Sequence, residues 1–287
     1  MHFARILIAG TAVWACVGCG NQADDGLSGA SECLQTGEEL LIQHRTPLPD
    51  VTRDTRMLGL AVNEESVAAL AYELTGSKGA TCIARLVTLD RSALHDRTTI
   101  VTDSYTFEVA CDQPLVDLAW DGARWVALGT CGDGVRQAVV ALEPDSDGVI
   151  VPAEIVCLES RHTGLEVDGA SMFLLDSSGL VSRLSYPDGL SEGEATSAGD
   201  RNVTPAYGLG RQNGISWLGR DAFEASMTNH LTRVASSGAV CTYPVELDTG
   251  VRAELPAAYG SEVWVIDAQS VNGKPNVELL WLQDGGE

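Results

Sequence analysis

Residues 115–128, LVDLAWDGARWVAL, set two apolar runs on either side of Asp121-Gly122. Successive strand side chains point to opposite faces, so alternation broken by an Asp-Gly turn reads as a β-hairpin with both arms packed. The pattern recurs in LGLAVNEESVAAL (58–70), GLEVDGASMFLL (164–175), LGRQNGISWLG (209–219) and AAYGSEVWVID (257–267). With Asn63, Asp121, Asp168, Asn213 and Gly260 as anchors, the spacings are 58, 47, 45 and 47 residues. Val67, Trp125, Met172, Trp217 and Trp264 then fall four places after their anchors.

A repeat of this length, holding a hairpin and further strands, fits one blade of a β-propeller. CIARLVTLD, TIVTDSYTFEVAC, VRQAVVALE, LVSRLSY and VELLWLQ supply additional strands between the hairpins. Long amphipathic helical runs are missing, and the best helical candidate, EESVAALAYEL, reads equally well as a hairpin arm. The expected fold is all-β: a five-bladed propeller-like ring over residues 33–287. A β-sandwich, or two stacked β domains, is the competing architecture. Only 27 residues follow Gly260, while Cys33 to Met57 supplies 25 more, including the apolar ELLIQH. Together they make one repeat, so a strand near Leu40–His44 is expected to complete the last blade and close the ring.

Residues 1–18 have the form of a targeting segment, with a short basic start and about a dozen apolar residues, fewer than the roughly 20 a membrane span needs. Cys16-Val17-Gly18-Cys19 resembles the lipobox of bacterial lipoproteins. Gly18 and Val17 fit that pattern before Cys19, whereas Cys16 departs from the usual leucine. The resemblance implies lipidation at Cys19 and a membrane anchor there. With Gly20 rather than aspartate following, it also implies sorting to the outer membrane of a two-membrane bacterium. Residues 19–32 lack hydrophobic periodicity and read as a tether.

Six of the eight cysteines follow Cys19, namely Cys33, Cys82, Cys111, Cys131, Cys157 and Cys241. That count suits three disulfides outside the cytoplasm. If Asp121-Gly122 forms a two-residue turn, Cys111 lies one residue from register with Cys131, and a bulge absorbs the offset. Cys111–Cys131 is therefore expected. Cys33–Cys82 and Cys157–Cys241 follow only if pairing is sequential.

The formal charge is −22, with 18 basic against 40 acidic residues. Such a balance argues against nucleic acids as partners, since affinity for their backbone comes from Lys and Arg. The sequence contains no HExxH, Walker loop or GxGxxG after a strand, and the histidines show no zinc-ligand spacing. No cofactor or metal is implied. Asp145-Ser146-Asp147-Gly148 looks like part of a calcium loop, but the later ligands are missing and such clusters ordinarily form turns.

Three charged residues on otherwise apolar inner strands are the candidate ligand-binding positions: Asp117, Glu166 and Arg211. Relative to their anchors, Asp117 and Glu166 share strand parity in adjacent blades, and Arg211 holds the offset of Glu166. An isolated buried charge is costly, so these groups should line a channel mouth or be paired. A Glu166–Arg211 ion pair holding the ring is the structural alternative.

Three functions compete. The favoured one is an anchored binding or scaffold module contacting a protein or glycan through a propeller face. The second resembles the five-bladed glycosidase propellers, where carboxylates converge in a central funnel; Asp117 and Glu166 are its nominees. The third is a purely structural envelope component.

Overall fold

The computed structural model describes residues 40–49, 55–73, 81–111, 114–190, 196–197, 206–212, 214–220, 230–234, 240–245, 253–271 and 274–284. The expected signal segment, Cys19, the tether and Cys33 lie outside them. Five four-stranded antiparallel sheets form the fold, as the repeat predicts. The first blade comprises β2 (Thr55–Val62), β3 (Ser66–Glu73), β4 (Thr81–Asp90) and β5 (Val101–Ala110), with helix α1 (Arg91–His95) between the last two. The second holds β6 (Val116–Trp120), β7 (Trp125–Thr130), β8 (Gln137–Ala141) and β9 (Ala153–Leu158). The third holds β10 (Gly164–Asp168), β11 (Ser171–Leu175), β12 (Leu180–Ser185) and β13 (Thr196–Ser197). The fourth holds β14 (Ala206–Gln212), β15 (Ile215–Arg220), β16 (His230–Val234) and β17 (Val240–Pro244). The fifth takes β18 (Ala253–Tyr259), β19 (Glu262–Val271) and β20 (Lys274–Asp284) from the end of the chain and β1 (Leu40–Pro47) from its start.

The inner strands β2, β6, β10, β14 and β18 neighbour one another in that order, and β18 returns to β2. Strand alternation explains why the sequence runs are apolar almost throughout. In β3, Val67 and Ala69 pack against the fifth blade, while Ala68, Leu70 and Tyr72 pack against the second. Five apolar cores therefore lie between the blades, one per neighbouring pair. A fully buried Leu such as Leu70 or Leu118 contributes roughly 2 kcal/mol by area burial. Near the axis the inner strands approach so closely that only small residues fit. A Cβ on Gly59 would meet the Asp117 carbonyl carbon at 2.5 Å, and one on Gly164 the Leu209 Cβ at 2.8 Å.

Ring closure occurs as expected, with β1 pairing antiparallel to β20 from Leu40↔Asp284 to Pro47↔Glu278. Leu40 enters the core between the fourth and fifth blades. Arg45 reaches Asp267 at 3.5 Å and Glu278 at 3.3 Å, so an arginine on β1 joins carboxylates on β19 and β20. Where the fifth blade meets the first, Trp264 and Trp281 stack with His95 of α1, the His95–Trp281 centroids being 4.5 Å apart. Glu262, at the β18–β19 turn, accepts from Arg91 at 2.9 Å and from the Trp264 indole at 3.1 Å. This aromatic and ionic seam ties the first blade to the last.

The long first spacing is explained by α1 and the ten-residue strands on either side of it. EESVAALAYEL contains β3, settling that run as a hairpin arm.

The expected disulfides need correction. Cys82 pairs with Cys111 and Cys131 with Cys157, with Cα separations of 5.0 and 5.5 Å. Cys241 is also disulfide-bonded. Neither Cys111–Cys131 nor the sequential pairs Cys33–Cys82 and Cys157–Cys241 exist. The reason is local geometry: Trp120 pairs with Trp125, not Ala123, so the turn spans Asp121–Arg124. Asp121 Oδ1 accepts from the Ala123 and Arg124 amides and holds that wider turn. Cys111 also ends the outer strand of the first blade, whereas Cys131 follows β7 of the second. Each bridge braces a single blade. Asp145–Gly148 forms a turn, with Asp145 Oδ1 accepting from the Asp147 and Val149 amides.

Candidate functional site

Asp117 is completely buried and sits at a β-bulge between Val116 and Leu118, with φ 55°. The extra residue turns its side chain inward along the ring. Oδ1 accepts from the Leu118 amide at 2.9 Å. Oδ2 accepts from Leu165 of β10 at 2.8 Å and from Leu209 of β14 at 3.1 Å. One carboxyl therefore joins the inner strands of three successive blades. Burial pushes its pKa up to about 8, against the three amide donors that pull it down.

Glu166 lies in range of that charge. Burial first, and Asp117 second, push its carboxyl well above the ordinary value. Oε1 accepts from the Val167 amide at 3.3 Å, and the Arg211 backbone amide also donates to the carboxyl. The bulge shifts Asp117 out of the strand parity that the anchors assign it with Glu166.

Glu166 and Arg211 do not hold equivalent positions either. The fourth hairpin pairs Gln212 with Ile215 around Asn213-Gly214, whereas the third pairs Asp168 with Ser171 around Gly169-Ala170. Glu166 and Gly210 are the equivalents, each two residues before the last pair of its hairpin, so Arg211 is one step out of parity with Glu166. Arg211 consequently faces back toward the third blade, while Glu166 faces forward. The expected ion pair is nevertheless not formed: the Arg211 guanidinium lies 3.8 Å over the Phe173 ring, and its Nη1 donates to Ser216 Oγ at 2.8 Å.

Arg183 approaches the same ring at 5.9 Å and donates to Ser171 Oγ at 2.9 Å. The seam between the third and fourth blades thus carries two arginines and two buried serines around one phenylalanine. Sequence reasoning singled out Glu166 and Arg211 but not Ser171, Phe173, Arg183 or Ser216. Strand parity was the available signal, since Ser171 and Phe173 alternate toward one face and Arg183 stands opposite Phe173.

An open cleft of about 490 Å³ lies off the axis, between the second and third blades. Ala141, Ala153, Ile155 and Val156 form its apolar side, and Arg124, Glu143, Glu154 and Asp188 its charged rim. Asp117, Glu166 and Arg211 do not line it. Arg124 bridges Asp121 at 3.1 Å and Glu143 at 3.0 Å, while Tyr186 of the third blade donates to Asp121 at 2.7 Å. Cys131, Glu154 and Cys157 lie close enough to share a metal ion. They do not suit one in this state, because the two sulfurs are bonded to each other and Glu154 accepts from the Gly132 amide at 2.7 Å.

No protein-family model matches the chain, and no curated protein does. Among solved structures it is similar to glutaminyl cyclase from Myxococcus xanthus, at 12% identity and TM-score 0.53. That match covers 85% of this chain and 97% of that one. A luciferin-regenerating enzyme matches at 12% identity and TM-score 0.46, over 85% of this chain and 96% of that one. At such identity the first likeness concerns the fold alone.

Proposed function

We propose that this chain is a lipid-anchored extracytoplasmic binding module that presents a propeller face to a protein or glycan ligand. The observation that carries the reading is the commitment of Asp117: both oxygens are taken by backbone amides of three blades, and the residue has no exposed surface. A two-carboxylate hydrolase needs both groups free to meet substrate at a set separation, and Asp117 is engaged in holding the ring. Glutaminyl cyclase in Myxococcus xanthus places an enzyme on this fold, but a propeller scaffold hosts many activities, so the site must decide. Two disulfide-braced blades suit a rigid presenting surface outside the cytoplasm.

Incubating the soluble domain, residues 33–287, with a glycan array and a panel of envelope proteins tests the reading. Retention of a ligand without cleavage is the expected result; cleavage of a retained glycan overturns it in favour of hydrolysis. The anchor has a separate test. Cys19→Ser is expected to abolish incorporation of radiolabelled palmitate, and labelling that survives the substitution means that Cys19 is not the acceptor.

A further inference from the structure

Every blade of a propeller ends in an outer strand, and among the described residues four of the five here are interrupted or short. β13 has two residues. β17 has five, ends at Pro244 and is followed by a bridge from Val245 to Leu40. β9 carries an extra residue, Ile155, between its pairings to Val139 and Val140. β1 is bulged between Ile42 and His44 and ends at Pro47. Bulges, prolines and shortness are the devices by which edges avoid pairing with other chains.

β5 has none of them along most of its length. It runs for ten residues, VTDSYTFEVA, and pairs with β4 without interruption from Asp103↔Thr88 to Ala110↔Thr81. Phe107 and Val109 face the core, while Ser104, Thr106, Glu108 and Ala110 are exposed. Among the described residues, the backbone of 104–110 makes no hydrogen bond beyond the ladder to β4. Ile100, just before the strand, and Val101, which opens it, are 48% and 41% exposed. The Cys82–Cys111 bridge fixes its far end against β4, so an incoming strand meets an edge already ordered.

Charge selects the occupant. β5 contains Asp103 and Glu108 and no basic residue, on a chain of net charge −22. A second copy would bring acid against acid, whereas a cationic segment is attracted. We propose that β5 is a docking edge that accepts an extended, lysine- or arginine-bearing segment of a partner protein as a fifth strand of the first blade. The proposal rests on the binding-module reading and names its partner chemistry.

The probe is a nine-residue peptide alternating valine with lysine and threonine, titrated into the soluble domain. Fluorescence anisotropy follows binding, and hydrogen exchange locates it. Binding is expected to slow exchange of alternate amides within 104–110 by roughly tenfold or more, since only outward-facing N–H groups gain partners. A peptide with glutamate for lysine, or proline at two alternate positions, is expected to bind at least about tenfold more weakly. Ser104→Lys with Glu108→Lys should weaken the lysine peptide similarly while leaving the melting temperature unchanged. Equal binding of the glutamate peptide, protection confined to another strand, or concentration-dependent protection of β5 without peptide would each overturn the proposal. Absence of peptide binding beside a retained glycan overturns this inference alone; silence in both assays removes the binding reading as well.

Discussion

At the residue scale the ring depends on Asp117. Removing its carboxyl orphans three buried amides, each costing about 1–3 kcal/mol, and leaves a non-glycine residue at positive φ. Asp117→Ala is therefore expected to lower unfolding free energy by about 3–5 kcal/mol, measured in urea. Burial holds the Asp117 pKa near 8, against an ordinary 3.8. The fold thus favours the protonated form, a contribution complete below about pH 4 and lost as pH rises through about 8. Glu166, pushed up by burial and by Asp117, acts in the same direction. Stability should fall between about pH 5 and 8, and Glu166→Gln should flatten that slope by removing one titrating group. An equally steep profile in the variant would show that the carboxyl pair does not control the pH dependence.

At the scale of elements, hairpins were legible and their exact registers were not. Apolar alternation around Asp121-Gly122 and Asp168-Gly169 identified β6–β7 and β10–β11, because both arms of each hairpin are packed between blades. β9, β16 and β17 gave no comparable signal, being five or six residues long and without an anchoring turn motif. Turn length escaped prediction because Asp121 bonds two amides and widens its turn by two residues. That shift, with the bulge at Asp117, also hid the disulfides. The facing of Glu166 and Arg211 was illegible for the same kind of reason: a one-residue displacement of the fourth turn reverses which neighbour a side chain meets. The corrected bridges make a direct prediction. Non-reducing peptide mapping should link Cys82 to Cys111 and Cys131 to Cys157. Replacing Cys131 and Cys157 together by alanine opens a loop of sequence separation 26 and should cost about 3.5 kcal/mol on the chain-entropy estimate. An unchanged urea midpoint would contradict a bracing role.

At the scale of the whole molecule, five inter-blade cores close into a ring whose weakest point in chain terms is the junction of its two ends. The interface of the fifth blade with the first is held by Trp264, 1% exposed, and by the stacked His95 and Trp281. Trp264→Ala should cost about 3–5 kcal/mol, because it empties a large buried volume between blades that the surrounding sheets cannot collapse to fill. A loss below about 1 kcal/mol in urea would mean that this seam does not hold the closure.

The central structural claim is that β1 supplies the outer strand of the blade built from β18, β19 and β20. Leu41 and Gln283 are opposed across that junction and both exposed, so cysteines placed there can join without disturbing a core. In Leu41→Cys with Gln283→Cys, peptide mapping should recover a 41–283 crosslink, and the oxidised protein should melt above its parent. Failure of the two cysteines to join in a folded protein, under conditions where the native bridges form, would contradict closure of the ring by the N-terminal strand.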